Sequence, residues 1–434
     1  MAQTETKPGN VAVQESGITI HALCRLCGSP TLTPVLSLGS QYVSDFLDPN
    51  TAPGQRAPLE LVLCNAENGG CGLLQLRHTV DQDHMYRNYW YRSGVNQTMR
   101  MALADVTEKA EQLVHLKSEE TVIDTGSNDN TLLLSYPAAK LRKVGFEPAK
   151  NLMPYASHPE IHVINDYFSA ETFRRHYPKT QAKVVTSIAM FYDLEDPNQF
   201  TADVKSILGK DGLWVIQMMY LPTMLEENIF DNICHEHLEY YSLLSLESLL
   251  SRHNLKIIDI ALNDVNGGSY RTYVTHADNT SVKPFEGAQE RVEKLRQKEQ
   301  GLRLDTAAPY EAFAQRVEEI KQEAVDFITT EVKSGKTVYV YGASTKGNTL
   351  LQYFGLDNSV ITAAAERNPD KWGKVTVGTN IPIISEDDAR AAKPDYFLVL
   401  PWHFLKEFLV REKEYLDQGG QFIVPLPKFQ VISR

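Results

Sequence analysis

The sequence predicts a three-part α/β protein, with an N-terminal four-cysteine module followed by two Rossmann-like domains. Three observations predict it. Cys24, Cys27, Cys64 and Cys71 gather near the N-terminus, strands alternate with helices from residue 121 onward, and glycine turns close predicted strands at Gly126 and again at Gly342. A length of 434 residues suits several domains, and an apolar fraction of 42% is enough for ordinary cores. No apolar run approaches the roughly 20 residues that span a bilayer. Residues 1–17 lack the apolar stretch of a secretory leader and read as a flexible tail. These features predict a cytoplasmic protein without a membrane partner. A net charge of -12 with no long basic run excludes a nonspecific nucleic-acid binder.

The cysteine module is expected over 18–80. Cys24-Arg-Leu-Cys27-Gly28 has knuckle spacing, in which the small residue after the second thiolate lets backbone amides turn toward sulfur; Cys64 and Cys71 stand farther apart, with six residues between them. Four thiolates suit tetrahedral structural Zn2+, and a closed sulfur shell leaves no coordination position for catalysis. Unligated reduced thiols and a disulfide are the alternatives. Strands are expected at 59–63 and 73–76. The second domain, 81–282, begins with apolar residues at helical spacing over 99–113 and continues with strands at 121–124, 143–146, 184–187 and 213–217. In the third part, 283–434, the charged stretch 284–332 reads as a solvated bridging helix pair. Strands follow at 337–341, 361–365 and 396–400.

The first glycine turn, Asp124-Thr-Gly126-Ser127-Asn128-Asp129, has the chemistry of a cofactor loop. Gly126 permits a tight strand-to-helix turn, and Ser127, Asn128 and Asp129 face whatever binds over the sheet. Glu147, ending the next strand, can accept hydrogen bonds from both hydroxyls of a ribose. The loop lacks a full G-x-G-x-x-G pyrophosphate cradle, so S-adenosylmethionine fits better than NAD. Another nucleotide and a purely structural turn stay open. Asn165 and Asp166 can reach an adenine amine, and they suit a surface turn equally well.

Cys234-His235-Glu236-His237 is the densest titratable cluster. Its histidines lie two apart rather than in H-E-x-x-H spacing, which disfavours a metal. Imidazoles beside a carboxylate provide a general base near neutral pH, or a satisfied polar turn. In the last domain, the amides of Gly342-Ala-Ser344-Thr345-Lys346-Gly347-Asn348 with Ser344, Lys346 and Asn348 suit the phosphates of a sugar nucleotide. Glu366, at a strand end, can bind a ribose. Trp402 and His403 can contact a base or serve as boundary residues.

The cysteine order, Tyr89-Trp-Tyr91-Arg92-Ser93-Gly94, the glycine loop, the His-Glu-His cluster, Asn266-Gly267-Gly268-Ser269-Tyr-Arg271 and the C-terminal Tyr-Gly-Ala-Ser-Thr-Lys-Gly-Asn together resemble the nucleotide-sugar C-methyltransferase family. The resemblance covers nearly the whole chain after residue 18. It implies a zinc module, a central S-adenosylmethionine domain and a C-terminal Rossmann-like domain. The reaction it implies is methylation at C-3, beside the 4-ketone, of a keto-deoxysugar linked to TDP, GDP or CDP. It further implies His237 as the base, Glu236 as a substrate-positioning group and Tyr91 as an aromatic substrate contact, a place Tyr89 can also fill. His235 is a candidate donor to the enolate oxygen, and Asn266 a substrate contact. Such family members commonly carry Tyr where this chain has Cys234, and His within the segment aligned here with Ala189-Met190-Phe191-Tyr192-Asp193. Those departures bear on the stereochemistry of the sugar. Tyr192 and Asp193 are candidate replacements for that histidine. A nicotinamide-dependent sugar oxidoreductase and a noncatalytic zinc scaffold binding nucleotide sugars are the competing functions.

Overall fold

In a computed structural model, residues 12–15, 17–136 and 140–434 are described. The cysteine module is built on antiparallel strands Leu32–Tyr42, Arg56–Cys64 and Leu74–Leu76. Leu59, Leu61, Leu63, Leu74 and Leu76 are buried in a core that continues into the rest of the chain. The fourth strand of this sheet, Glu239–Tyr240, comes from the central domain and pairs with Leu74–Leu76. The segment carrying the His-Glu-His cluster is thereby stitched to the cysteine module. Part of the expected tail is structured: Ala12–Glu15 pair with Ile18–His21, which pair with His78–Val80. Residues 1–11 and 16 lie outside the described residues.

The central sheet contains β1 (Thr121–Thr125), β2 (Arg142–Phe146), β3 (Ile161–Ile164), β4 (Ala182–Ile188), β5 (Leu208–Met219), β6 (Leu255–Asn263) and β7 (Ser269–His276). Its order is β3-β2-β1-β4-β5-β7-β6, parallel except for β7, which runs antiparallel to both neighbours. Every residue of β1 is buried, as expected of a β-branched strand covered on both faces. The strand order reverses between β1 and β4, opening a crevice at their C-terminal ends. Helix Gln97–Val114 covers one face with Leu103, Val106, Ala110 and Leu113; the Asn96 side chain caps it by accepting from the Thr98 N–H.

The last domain has strands β8 (Val338–Tyr341), β9 (Ala364–Glu366), β10 (Ile383–Ser385), β11 (Tyr396–Val399), β12 (Gln421–Val424) and β13 (Gln430–Ile432). They run β10-β9-β8-β11-β12-β13, with only β13 antiparallel. The strand expected at 361–365 is confined to β9, because Ile361 lies before the paired residues.

The charged stretch does more than bridge. Helix Ala308–Lys333 buries Tyr310, Phe313, Val317, Ile320, Ala324 and Ile328, a helical stripe hidden between the charged positions. In helix Ala288–Leu302, Glu299 is fully buried and accepts from the Tyr220 hydroxyl and the N–H groups of Leu243 and Leu244. Those bonds offset the cost of sealing a carboxylate from water. The cysteine module also grips the last domain. Phe46–Leu47 pair with Val375–Thr376, and Tyr42 exchanges two hydrogen bonds with the Gln352 side chain.

Candidate active site

The crevice at the ends of β1 and β4 deepens into a cavity of about 370 Å³ lined by the central and last parts of the chain. Tyr86 and Tyr91 reach it from behind the cysteine module, Gly126 and Glu147 from the ends of β1 and β2, His237 from the cluster segment and Lys346 from the last domain. A wider, open groove at Pro284–Glu293 contains no such convergence of chemical groups.

At the β1 end, Gly126 has φ +74°, and a Cβ there would come within 3.3 Å of Met190. Glycine is thus selected by both backbone and space. Glu147 accepts from the Asn128 N–H at 2.7 Å through Oε2 and from the Ala149 N–H at 2.8 Å through Oε1. Each oxygen keeps a further lone pair. Burial pushes this carboxyl above its ordinary range, opposed by the two backbone bonds. Ser127 and Asn128 line the cavity, and the buried Ser127 Oγ has no hydrogen-bond partner among the described residues. Asp124 lines the same end, its carboxyl raised to about 8 by burial.

Three expected cofactor contacts point elsewhere. Asp129 is used up in the loop, accepting from Gly94 N–H and from Thr131. Asn165 donates to the Glu147 carbonyl, and Asp166 accepts from the Tyr167 N–H and pairs with Arg87 at 3.6 Å. None of the three lines the cavity; Tyr167 and Phe168 do. Short polar side chains at turns satisfy nearby backbone first, a preference invisible in residue type alone.

His237 is the central group. Its Nδ1 lies 2.7 Å from the Asn232 carbonyl, and a carbonyl only accepts, so the proton sits on Nδ1. That leaves Nε2 as a lone pair without a hydrogen-bond partner among the described residues, on a ring lining the cavity. Burial, aided by the Lys346 charge and opposed by the Asn232 bond, lowers this imidazole to about 3. Tyr192 packs edge-on against it, with ring centroids 4.4 Å apart. Glu236 also lines the cavity, its Oε2 buried and unpartnered among the described residues.

His235 takes a different part from the expected one. Its Nε2–H donates to the Ala57 carbonyl, so it fastens the segment to the cysteine module rather than facing the cavity. The chain turns at His235-Glu236, with the His237 N–H donating to the Cys234 carbonyl, and the turn sends the two histidines apart. Tyr86, missed in the sequence, donates its hydroxyl to the Glu236 carbonyl at 2.8 Å and lines the cavity. Asp231 was missed as well. Its place only six residues before His237 was the available signal.

Tyr91 and Tyr89 both line the cavity, as do Asn266, Ser344 and Lys346. Three other expected substrate contacts do not. Asn348 is buried and donates to Ser44 Oγ and the Asp45 carbonyl, clamping the cysteine module. Glu366 accepts from Ala343 N–H and Asn368 N–H, bracing its own loop as Glu147 braces the first one. Trp402 donates to Asp231 Oδ2 and packs where a Gly267 Cβ would fall, at 3.0 Å. At Gly268, with φ +135°, a Cβ would come within 2.4 Å of Thr223. The Asn-Gly-Gly turn is therefore shaped to admit Trp402 of the last domain and Thr223 of its own.

The four cysteine sulfurs lie within 4.8 Å of one another. Cys24 and Cys71 are 3.6 Å apart and Cys27 and Cys64 3.5 Å, close to the about 3.8 Å edge of a tetrahedron with zinc–sulfur bonds of 2.3 Å. The Cys71 N–H donates to Cys64 Sγ at 3.3 Å, a contact that favours thiolate. Hydrogen bonding from Cys24 holds Cys64 down to about 2. This donor set fits a closed structural metal site.

Family models match in the same order as the architecture: "Putative zinc binding domain" over 24–86, "Methyltransferase domain" over 95–260 and "C-methyltransferase C-terminal domain" over 264–427. The chain is also 32% identical over 415 residues to the C-methyltransferase NovU of Streptomyces niveus, covering 94% of this chain and 96% of that one. The chain belongs to the C-methyltransferase family. This C-methyltransferase is therefore an enzyme; its first match coincides with the cysteine module, its second runs from before β1 into β6, and β7 falls within the third. Among solved structures, it is 13% identical to the plantazolicin methyltransferase BpumL in complex with SAH, covering 41% of this chain and 84% of that one at TM-score 0.33. It is 9% identical to magnesium protoporphyrin IX methyltransferase ChlM of Synechocystis PCC 6803, covering 44% and 88% at TM-score 0.34. Scores this low carry no argument about the chemistry. Among the described residues, no helix is long and apolar enough to cross a membrane.

Proposed function

We propose that this C-methyltransferase moves a methyl group from S-adenosylmethionine to C-3, beside the 4-ketone, of a keto-deoxysugar linked to TDP, GDP or CDP. The observation that carries the reading is His237, a neutral imidazole with its proton committed to Asn232 and Nε2 left free. A ketone acidifies the neighbouring C–H, and the free Nε2 of an oriented imidazole offers an acceptor for that proton. Glu147 and the unpartnered Ser127 Oγ fit a ribose-bearing cofactor, with Glu147 accepting from the hydroxyls. S-adenosylmethionine, when bound, supplies an electrophilic methyl that carries its own leaving group.

Lys346 and Ser344 support a diphosphate at the opposite wall, and Tyr91 and Tyr89 offer aromatic faces to the sugar. Holding both substrates in one cavity supplies rate through proximity. Zinc, held by the four cysteines, stays structural. The nicotinamide reading is disfavoured by the Gly342 loop, whose Ala343 and Gly347 N–H groups already serve Glu366 and Ser344. The test is methyl transfer from S-adenosylmethionine to keto-sugar diphosphates of the three nucleosides, followed by solvent-deuterium exchange at the carbon beside the ketone. Binding of adenosylhomocysteine with neither exchange nor methylation on any of them would reject this function.

A further inference from the structure

Three carboxyl groups crowd the substrate end of the cavity, and only one is needed to position a sugar. Asp193, Asp231 and Glu236 all line it, and among the described residues Lys346 is the one ammonium that lines it with them. Each keeps one buried oxygen with no hydrogen-bond partner among the described residues: Asp193 Oδ1, Asp231 Oδ1 and Glu236 Oε2. Three negative charges with buried oxygens beside one positive charge are not tolerated together, so protons stay on part of the set.

The surroundings decide which group keeps one. Asp231 accepts from Trp402 Nε1–H at 3.1 Å. Burial raises the Glu236 carboxyl, but a bond from its own backbone, the Cys234 thiol and Lys346 all draw it back toward the ion. Asp193 is faced by Tyr86 on the helix Gln82–Tyr86, by Glu236 and Glu239 on the cluster segment, and by Lys346. Burial, then the Glu236 and Glu239 charges, push its carboxyl well above the ordinary range, against weaker pulls from Tyr86 and Lys346.

Position completes the argument. Asp193 ends the turn Phe191–Asp193 after β4, next to Tyr192, whose ring packs on His237. The Leu238 N–H donates to the Tyr192 carbonyl at 2.7 Å, locking this turn to the residue after the base. A base that removes a proton beside a ketone and a donor to that ketone's oxygen must flank the same H–C–C=O unit. His237 and Asp193 line the same cavity from segments joined by that bond.

Resting on the function proposed above, we propose that the Asp193 carboxyl donates a hydrogen bond to the sugar's carbonyl oxygen while His237 withdraws the adjacent proton. The C–H electron pair becomes the enolate double bond and the carbonyl pair moves onto oxygen, where the Asp193 O–H stabilises it. The enolate carbon then takes the methyl as the sulfur–carbon pair returns to sulfur. Asp193 keeps its proton throughout, and the proton on His237 leaves to solvent.

The experiment compares Asp193→Asn and Asp193→Ala in the full-length enzyme, reading solvent-deuterium exchange beside the ketone, with adenosylhomocysteine calorimetry to establish folding. Asparagine retains a neutral N–H donor and alanine has none. Exchange is expected to fall about 100-fold or more in Asp193→Ala and to stay within about tenfold of wild type in Asp193→Asn. In wild type the rate should decline on the alkaline side as Asp193 ionises, and the asparagine variant should lack that decline. Equal losses in both variants, or a wild-type rate in Asp193→Ala, would overturn the assignment. Infrared difference spectra of wild type and Asp193→Asn give a readout independent of substrate. A protonated-carboxyl band at neutral pH, lost in the variant, is expected, and its absence from wild type overturns the proposal even if the alanine variant fails to fold. No exchange by the wild type on any keto-sugar diphosphate would instead overturn the reaction itself.

Discussion

His237→Asn separates proton removal from architecture, because the geometry predicts which half of the imidazole each property uses. Asparagine's amide nitrogen falls where Nδ1 stands, so it can keep donating to the Asn232 carbonyl, now at 2.7 Å. That carbonyl is then spared the about 1–3 kcal/mol penalty of a buried orphan, which His237→Ala would incur. The loss in stability should be confined to the edge-on Tyr192 contact at 4.4 Å, about 1 kcal/mol. The Nε2 lone pair disappears outright. Methyl transfer and solvent-deuterium exchange should therefore both fall about 100-fold or more, the usual contribution of a general base, with adenosylhomocysteine affinity unchanged. The assay is exchange at the carbon beside the ketone, followed by NMR, beside calorimetry on the same sample. A folded His237→Asn enzyme that still exchanges that proton at the wild-type rate would refute the reasoning and move the base elsewhere.

Protonation gives a second check on the same residue. Because burial lowers folded His237 to about 3, below the about 6.5 of an unfolded histidine, its share of stability is complete above about pH 6.5 and shrinks as pH falls toward 3. Urea unfolding over that window should show wild type losing stability relative to His237→Asn as pH drops; wild type gaining on the variant contradicts the lowered imidazole. Glu147→Ala should weaken adenosylhomocysteine binding by about 1.5–3 kcal/mol through two lost charge-assisted bonds, and unchanged calorimetry would remove Glu147 from the cofactor site. Freshly purified, reduced enzyme should hold about one zinc per chain, and Cys24→Ser or Cys71→Ser should lower folded yield more than the activity of what survives; elemental analysis finding no metal contradicts this. Arg25, inside the first cysteine knuckle, stands 3.6 Å from Glu239 with both side chains fully buried. Burial pushes the Glu239 carboxyl well above its ordinary range and Arg25 opposes this, so Arg25→Met leaves it buried without its charge partner and should cost about 1–3 kcal/mol in urea unfolding, much of it regained in Arg25→Met/Glu239→Leu; equal stability of the single variant and wild type would show the pair to be idle.

Much of this enzyme is written locally. Four thiols at knuckle spacing, buried β-branched strands such as Thr121–Thr125, and glycine at the end of β1 each declare themselves, because thiol chemistry, strand burial and a left-handed turn depend on residue type and near neighbours. That His237 and Glu147 line the cavity was legible for the same reason: each ends a short segment with a distinctive side chain. What a polar side chain faces was not. Asn348, Glu366, Asp129 and His235 all carry suitable chemistry, and each spends it on backbone or on the cysteine module. The charged stretch before β8 hides a core-forming stripe that only its packing partners reveal. Sequence alone determined the three-part order and the four-cysteine cluster, and it singled out the segment that carries the proposed base. Tertiary structure decided the tautomer of that base, the crowding of Asp193, Asp231 and Glu236, and the joining of the cluster segment to the cysteine sheet. Those depend on contacts between residues far apart in the chain, where burial and unlike neighbours set the charge that each group can hold.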